Sequence, residues 1–342
     1  MSEFFMDYGL FLAKTSTIVL AIVVVAIVII VLASRSREEH QAHIEVKKIN
    51  EKFEQTEQTL NSLLLSEKEQ KAQAKALKAK KKAEEKSETK SLPRVFVLEF
   101  DGDIRASAVA SLREEITAIL LVANEQDEIM LNLTSPGGLV HAYGLASSQL
   151  ARVRSRNIPL TVAVDKVAAS GGYMMACVAN KIIAAPFAVI GSIGVIAQIP
   201  NFNRLLKKHD IDYEQITAGD YKRTLTMFGE NTDKAREKFR EEIQDTHELF
   251  KEFITANRPS IDISKVATGE HWFATRAKEL NLVDELQTSD DYLMLRAKDA
   301  DVYKITYVAK KRLGSRFAEL LSNISDKVQS HLWQRSREAE LP

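Results

Sequence analysis

The sequence has one cysteine in 342 residues, Cys177, set in the apolar run Tyr173 to Ala179. One thiol excludes a disulfide framework within the chain and any metal site built on several cysteines. Histidine is also scarce. Of the seven, His40 and His43 fall in a charged N-terminal stretch, and none forms a His-Glu-x-x-His pattern or a cluster with carboxylates. No excess of either charge exists, with 47 basic and 47 acidic side chains, which argues against a nucleic-acid partner. A Gly-x-Ser-x-Gly elbow is missing too, because Ala168 stands two residues before Ser170. Between Arg35 and Leu92 there is neither glycine nor proline, and no internal repeat is evident along the chain.

Against these absences, one apolar run stands out. Thr15 to Ser34 carries no charge over 20 residues, and Thr17 to Leu32 is almost entirely Ile, Val, Leu and Ala. That length matches a helix crossing a bilayer core of about 30 Å. A cleaved signal peptide would call for a basic leader, a shorter apolar stretch and small residues at a cleavage site. Here Glu3 and Asp7 precede the run with only Lys14, so the expectation is an uncleaved anchor over residues 1–34. Arg35 and Arg37 against Lys14 give a small bias toward a cytoplasmic C-terminal body, too small to fix the orientation.

Residues 35–92 read as a charged helical extension. Val46, Ile49, Phe53, Thr56, Leu60 and Leu63 recur at spacings of three and four, the seam of a coiled coil or of a helix packed along the body. Lys71 to Lys90 is rich in Lys, Ala and Glu, the composition of a solvated helix or linker. The globular body is expected over 93–308. Apolar strands at 95–100, 128–134, 159–164, 181–185 and 302–308 alternate with helical patterns at 107–122, 139–155, a stretch through Ala179, and 232–257. Leu145, Leu150 and Val153 mark the apolar face of the second helix. Such alternation implies parallel strands with crossover helices. Residues 309–342 carry an amphipathic helical pattern from Leu313 to Trp333.

The chemistry gathers where strands end in small-residue turns, the place where parallel α/β folds build their sites. Ser135-Pro-Gly-Gly138 follows one strand and lets backbone amides approach a bound group closely. Ser170-Gly-Gly172 opens a helix after the next strand, aiming a hydroxyl and fresh amide hydrogens at one point. A serine needs a base before it attacks a carbonyl. His141, just after the first turn, is one candidate, with a solvated helix position as its plainer reading. Lys222, framed by Gly219, Tyr221, Leu225, Met227 and Phe228, is another, since apolar burial favours the neutral amine a base requires.

Four motifs in register decide between them by resemblance. Pro136-Gly-Gly138, Ala168-Ala-Ser-Gly-Gly-Tyr173, Gly191-Ser-Ile-Gly-Val195 and Gly219-Asp-Tyr-Lys222 resemble the signal peptide peptidase A family of serine proteases, most closely its SohB branch. The resemblance implies an α/β, caseinolytic-protease/crotonase-like spiral of βαβ units behind a transmembrane helix and a charged helical extension. It implies Ser170 as nucleophile and Lys222 as general base. It also implies the Gly138 and Gly171 amides as oxyanion hole, with Ser192 orienting the lysine. The stretch from Phe187 to Ile199 then supplies a substrate-binding strand and apolar pockets. No metal or organic cofactor is implied. Expected partners are peptide or protein substrates such as signal-peptide remnants or misfolded fragments, the lipid bilayer through residues 15–34, and copies of the chain in a homo-oligomeric ring whose subunits could complete one another's sites. The expected location is a bacterial inner membrane. Two alternatives stay open at this point: a crotonase-like acyl-CoA enzyme, which shares the glycine-rich turn, and a non-catalytic membrane scaffold.

Overall fold

A computed structural model of the chain describes residues 2–37, 42–66, 68–70, 75, 92–219 and 221–309. Most of Lys71 to Lys90 and all of Leu313 to Trp333 lie outside the described residues. Two compact units result: the N-terminal segment with the C-terminal tail, and a body from Ile44 to Tyr307. The first contributes one 36-residue helix, α1 (Ser2–Arg37). Among the described residues no helix is long and apolar enough to cross a membrane.

The body opens with β1 (His43–Lys48) and α2 (Ile49–Leu64). It continues through β2 (Arg94–Asp101), α3 (Val109–Leu120), β3 (Glu128–Thr134), α4 (Val140–Arg154), β4 (Leu160–Val164), β5 (Val167–Ala169) and α5 (Gly171–Ala176). After β6 (Lys181–Ala184) and β7 (Val189–Gly191) come α6 (Asn203–Lys208), the long α7 (Asp233–Asn257) and α8 (Ile263–Val266). β8 (His271–Phe273), α9 (Ala274–Glu279), β9 (Glu285–Leu286), α10 (Ser289–Arg296) and β10 (Asp301–Val308) complete it.

The strands form a seven-stranded sheet ordered β1-β10-β2-β3-β4-β6-β9 and a three-stranded sheet ordered β5-β7-β8. From β10 to β9 every pairing in the large sheet is parallel. Parallel strands are covered on both faces and so read as near-continuous apolar runs, as β3 and β4 do, broken only by Asn132 and Thr161 inside them. The pleat sorts their side chains. Phe96, Leu98, Phe100, Leu131 and Val162 enter the main core beneath α3 and α4, while Val95, Val97, Met130 and Ala163 face Tyr292 on α10. On α4 the buried stripe is Tyr143, Ala146, Ser147, Leu150 and Val153. Leu145, expected on that face, is 44% exposed, because its spacing to Leu150 does not fit the helical period.

One segment departs from its expected structure. Helix was expected throughout 35–92, yet His43–Lys48 is β1 and joins the large sheet beside β10. Ile44 packs against the main core and Ile49 against the smaller one. Absence of glycine and proline permits a helix without requiring one, and Ile44 and Val46 suit an edge strand. Of the proposed heptad seam, Val46 therefore lies on a strand, and Leu60 and Leu63 are exposed.

Candidate active site

Three strand ends meet on one rim. Ala169 on β5 pairs with Gly191 on β7, and Ser135, just past β3, bridges to Ala168. The three turns that follow, Ser135–Gly138, Ser170–Gly172 and Gly191–Gly194, are thereby neighbours. Gly137 adopts φ +90°, and a methyl placed on it would meet the Ala169 carbonyl at 2.7 Å and the Gly171 amide at 2.8 Å. Only glycine lets the first turn press so closely against the second.

Ser170 sits at φ 52° and ψ −119°, a conformation that costs a non-glycine residue of the order of 1–3 kcal/mol. Its surroundings hold it there. The Ser170 amide donates to the Gly191 carbonyl at 2.8 Å, and its own carbonyl accepts from Met174 at 2.9 Å in the first turn of α5. The side chain is half-buried and lines a cavity of about 340 Å³ together with Gly138 and Gly171. Among the described residues neither the Gly138 nor the Gly171 amide hydrogen has a hydrogen-bond partner. A hydroxyl on a strained corner beside two free amides is suited to acyl transfer: one group attacks and two receive the developing oxyanion.

A second layer, invisible in the sequence reading, supports the first turn. Tyr143 and Ser135 are fully buried. The Tyr143 hydroxyl donates to the Asp103 carbonyl at 2.8 Å and so accepts from Ser135 Oγ at 2.6 Å. Ser135 Oγ in turn accepts from the Gly137 amide at 3.1 Å. Every proton in this chain has an acceptor. Burial pushes the Tyr143 phenol above its ordinary value, which keeps it in the donating form. The same ring lies under Gly171, where an added methyl would meet Tyr143 Cγ at 2.5 Å. A tyrosine five residues beyond a Pro-Gly-Gly turn was the available signal, but nothing local distinguishes it from any core aromatic.

The remaining expected residues fall as follows. Ser192 also adopts a positive φ, 52°, and follows Gly191 directly, so the β5–β7 register sets it beside Ser170. Its amide donates to the Glu270 carbonyl at 2.6 Å. Lys222 is exposed and lines a different, open hollow of about 860 Å³ with Ile199, Tyr213 and Phe228. No lysine, histidine or carboxylate is among the described side chains lining the Ser170 cavity. His141 is exposed on α4. Of the stretch from Phe187 to Ile199, only Val189–Gly191 is strand, and Gly194 and Val195 line the cavity. Among the described residues no group of His, Cys, Asp and Glu is placed to hold a metal.

Comparison with known proteins gives this rim its context. Residues 3–150 match the model described as "Peptidase family S49 N-terminal" and residues 152–303 the model "Peptidase family S49". A Haemophilus influenzae protein named "Probable protease SohB" is 49% identical over 328 residues, covering 93% of each chain. The chain belongs to peptidase family S49. Another "Probable protease SohB", from Buchnera aphidicola subsp. Schlechtendalia chinensis, is 50% identical over 86% of this chain and its own full length. A third, from Buchnera aphidicola subsp. Acyrthosiphon pisum, is 58% identical over 68% of this chain and 70% of its own. The mixed α/β body with its parallel-rich sheet is consistent with an S49 peptidase, and the boundary between the two S49 models falls within α4, between the turn at Gly138 and Ser170.

Proposed function

We propose that this S49 chain is a membrane-anchored serine endopeptidase that hydrolyses peptides with a Ser170–Lys222 dyad. The observation that carries the reading is Ser170 itself, held at φ 52° where it shares one cavity with the unpaired Gly138 and Gly171 amides. In the proposed reaction neutral Lys222 takes the hydroxyl proton as Ser170 Oγ attacks the peptide carbonyl. The two amides stabilise the oxyanion, a contribution of roughly 3–4 kcal/mol for one well-aimed donor. Lys222 then protonates the leaving amine, and water, deprotonated by the same lysine, releases the acyl group. Ser192, next to Ser170 across the β5–β7 pair, would orient that amine.

Lys222 lines a separate hollow, so the dyad requires the arm between Val195 and Asn231 to close on Ser170 or to serve a second copy in a ring. Exposed apolar side chains on that arm, Ile216 at 94% and Leu205 at 53%, suit either contact. The anchor rests on the sequence, where Thr15–Ser34 is uncharged and lies on one continuous helix, α1. An anchored peptidase in a bacterial inner membrane would meet signal-peptide remnants and fragments of membrane or misfolded proteins.

The test is cleavage of a fluorogenic peptide with apolar residues before the cut, by the detergent-purified chain and its Ser170→Ala and Lys222→Ala variants. We expect both variants to lose at least a thousandfold in kcat with folding intact, and a serine-directed probe to label wild type but not Ser170→Ala. Activity surviving in Lys222→Ala would return the search for the base to His141. Recovery on mixing the two dead variants would assign the dyad to different copies.

A further inference from the structure

Most glycines around the site leave little or no room for a side chain. At Gly102, Gly137, Gly138, Gly171 and Gly172 an added methyl would come within 3.0 Å of neighbouring atoms, so packing alone requires them. Gly144 differs. It lies inside α4, where glycine is among the poorest helix formers, and an added methyl there meets nothing within 4 Å. Neither backbone conformation nor close packing calls for a bare residue. Yet Gly144 lines the Ser170 cavity, midway along a helical stripe of Val140, Gly144 and Ser148 that forms one of its walls.

We propose that Gly144 is a specificity-determining residue, whose missing side chain leaves room beside Ser170 for a large apolar residue of the substrate, of leucine or phenylalanine size. The inference rests on the peptidase reading above and extends it to the substrate's side chain. Buried Phe250 and Met174 contribute to the same cavity, with Phe253 and Val195, and no charged side chain is among its described lining. A volume of about 340 Å³ holds a large side chain with room to spare. Filling the gap at Gly144 should therefore exclude large side chains before small ones. In hydrophobic pockets one methylene changes selectivity by roughly 10–200-fold.

The experiment compares full-length wild type, Gly144→Ala and Gly144→Leu on peptides differing only in Ala, Leu or Phe before the cut. The ratio of kcat/KM for the Leu or Phe peptide to that for the Ala peptide is expected to fall at least tenfold in Gly144→Leu. A smaller fall is expected in Gly144→Ala, which a helix interior accepts readily. An unchanged or rising ratio, or a loss shared equally by all peptides, overturns the proposal while leaving the peptidase reading intact. If wild type cleaves none of the peptides and no serine probe labels Ser170, the peptidase reading fails and takes the proposal with it. Melting temperatures of the three proteins separate a narrowed pocket from a damaged fold, and an early-melting Gly144→Leu leaves Gly144→Ala to decide.

Discussion

The Tyr143 hydroxyl links Asp103 to Ser135, and through Ser135 it fixes the amide of Gly137, one residue from the free amide of Gly138. Tyr143→Phe keeps the ring under Gly171 and removes only the oxygen. Ser135 then loses its acceptor in a buried site, at a cost of about 1–3 kcal/mol. We expect kcat to drop about tenfold or more with KM little changed, because an oxyanion donor matters most in the transition state. Steady-state kinetics beside a urea melt would check both halves. Equal loss in kcat and KM would instead mark a general loosening of the cavity. That Ser135–Gly138 and Ser170–Gly172 are turns at strand ends was legible in the sequence because turn chemistry is local, written within four residues. The pairing of Tyr143 with Ser135 was not, since it depends on how β3, α4 and the Asp103 loop meet in space. The open space at Gly144 was equally silent, because what surrounds a helix glycine is set by the tertiary fold.

Helix α7 supplies Phe250 and Phe253 to the cavity, and its end is fixed to the body by an ion pair. Arg258, buried at the helix C-terminus, donates to both Asp284 oxygens at 2.7 and 2.8 Å and to the Asn281 carbonyl at 3.1 Å. Burial alone would push the Asp284 carboxyl up. Arg258 and the Ile182 amide outweigh that effect and hold it below the usual range. A depressed folded value means that the pair's stabilisation is present above the unfolded carboxylate pKa, about 3.9, and is lost as pH falls through the folded value. The Asp284 side chain is 35% exposed, so its loss should cost less than the roughly 3–5 kcal/mol of a fully buried pair. For Asp284→Asn we expect about 2 kcal/mol at pH 7, shrinking below about pH 4, as read from urea midpoints. Long elements such as α7 were readable because 25 residues repeat their period many times. β5, β7 and β8, three residues each, give no period at all, and they frame Ser170.

Across the whole molecule the acids with shifted carboxyls do not act in one direction. Glu115 on α3 is 5% exposed and accepts the Tyr307 amide at 2.8 Å, yet burial pushes its carboxyl above the ordinary value. A raised folded value contributes stability that is complete below the unfolded pKa and lost as pH rises through the folded one. Asp284 works in the opposite sense and in a lower window, below its unfolded value of about 3.9, so together the two bound a stability maximum near about pH 4. Glu115→Gln should gain stability relative to wild type as pH climbs from about 4 to 7, and a difference that stays constant or reverses would remove Glu115 from the balance. The frame around Ser170 also spans the molecule. Gly191, which receives the Ser170 amide, pairs with His271, and Ser192 is tied to Glu270. On a ribosome Ser170 is made about 100 residues before those partners, a delay of roughly 5–20 s at ordinary elongation rates. A nascent or prematurely terminated chain therefore carries Ser170 without this part of its scaffold, and the strained corner is fully framed only after β8 has been synthesised.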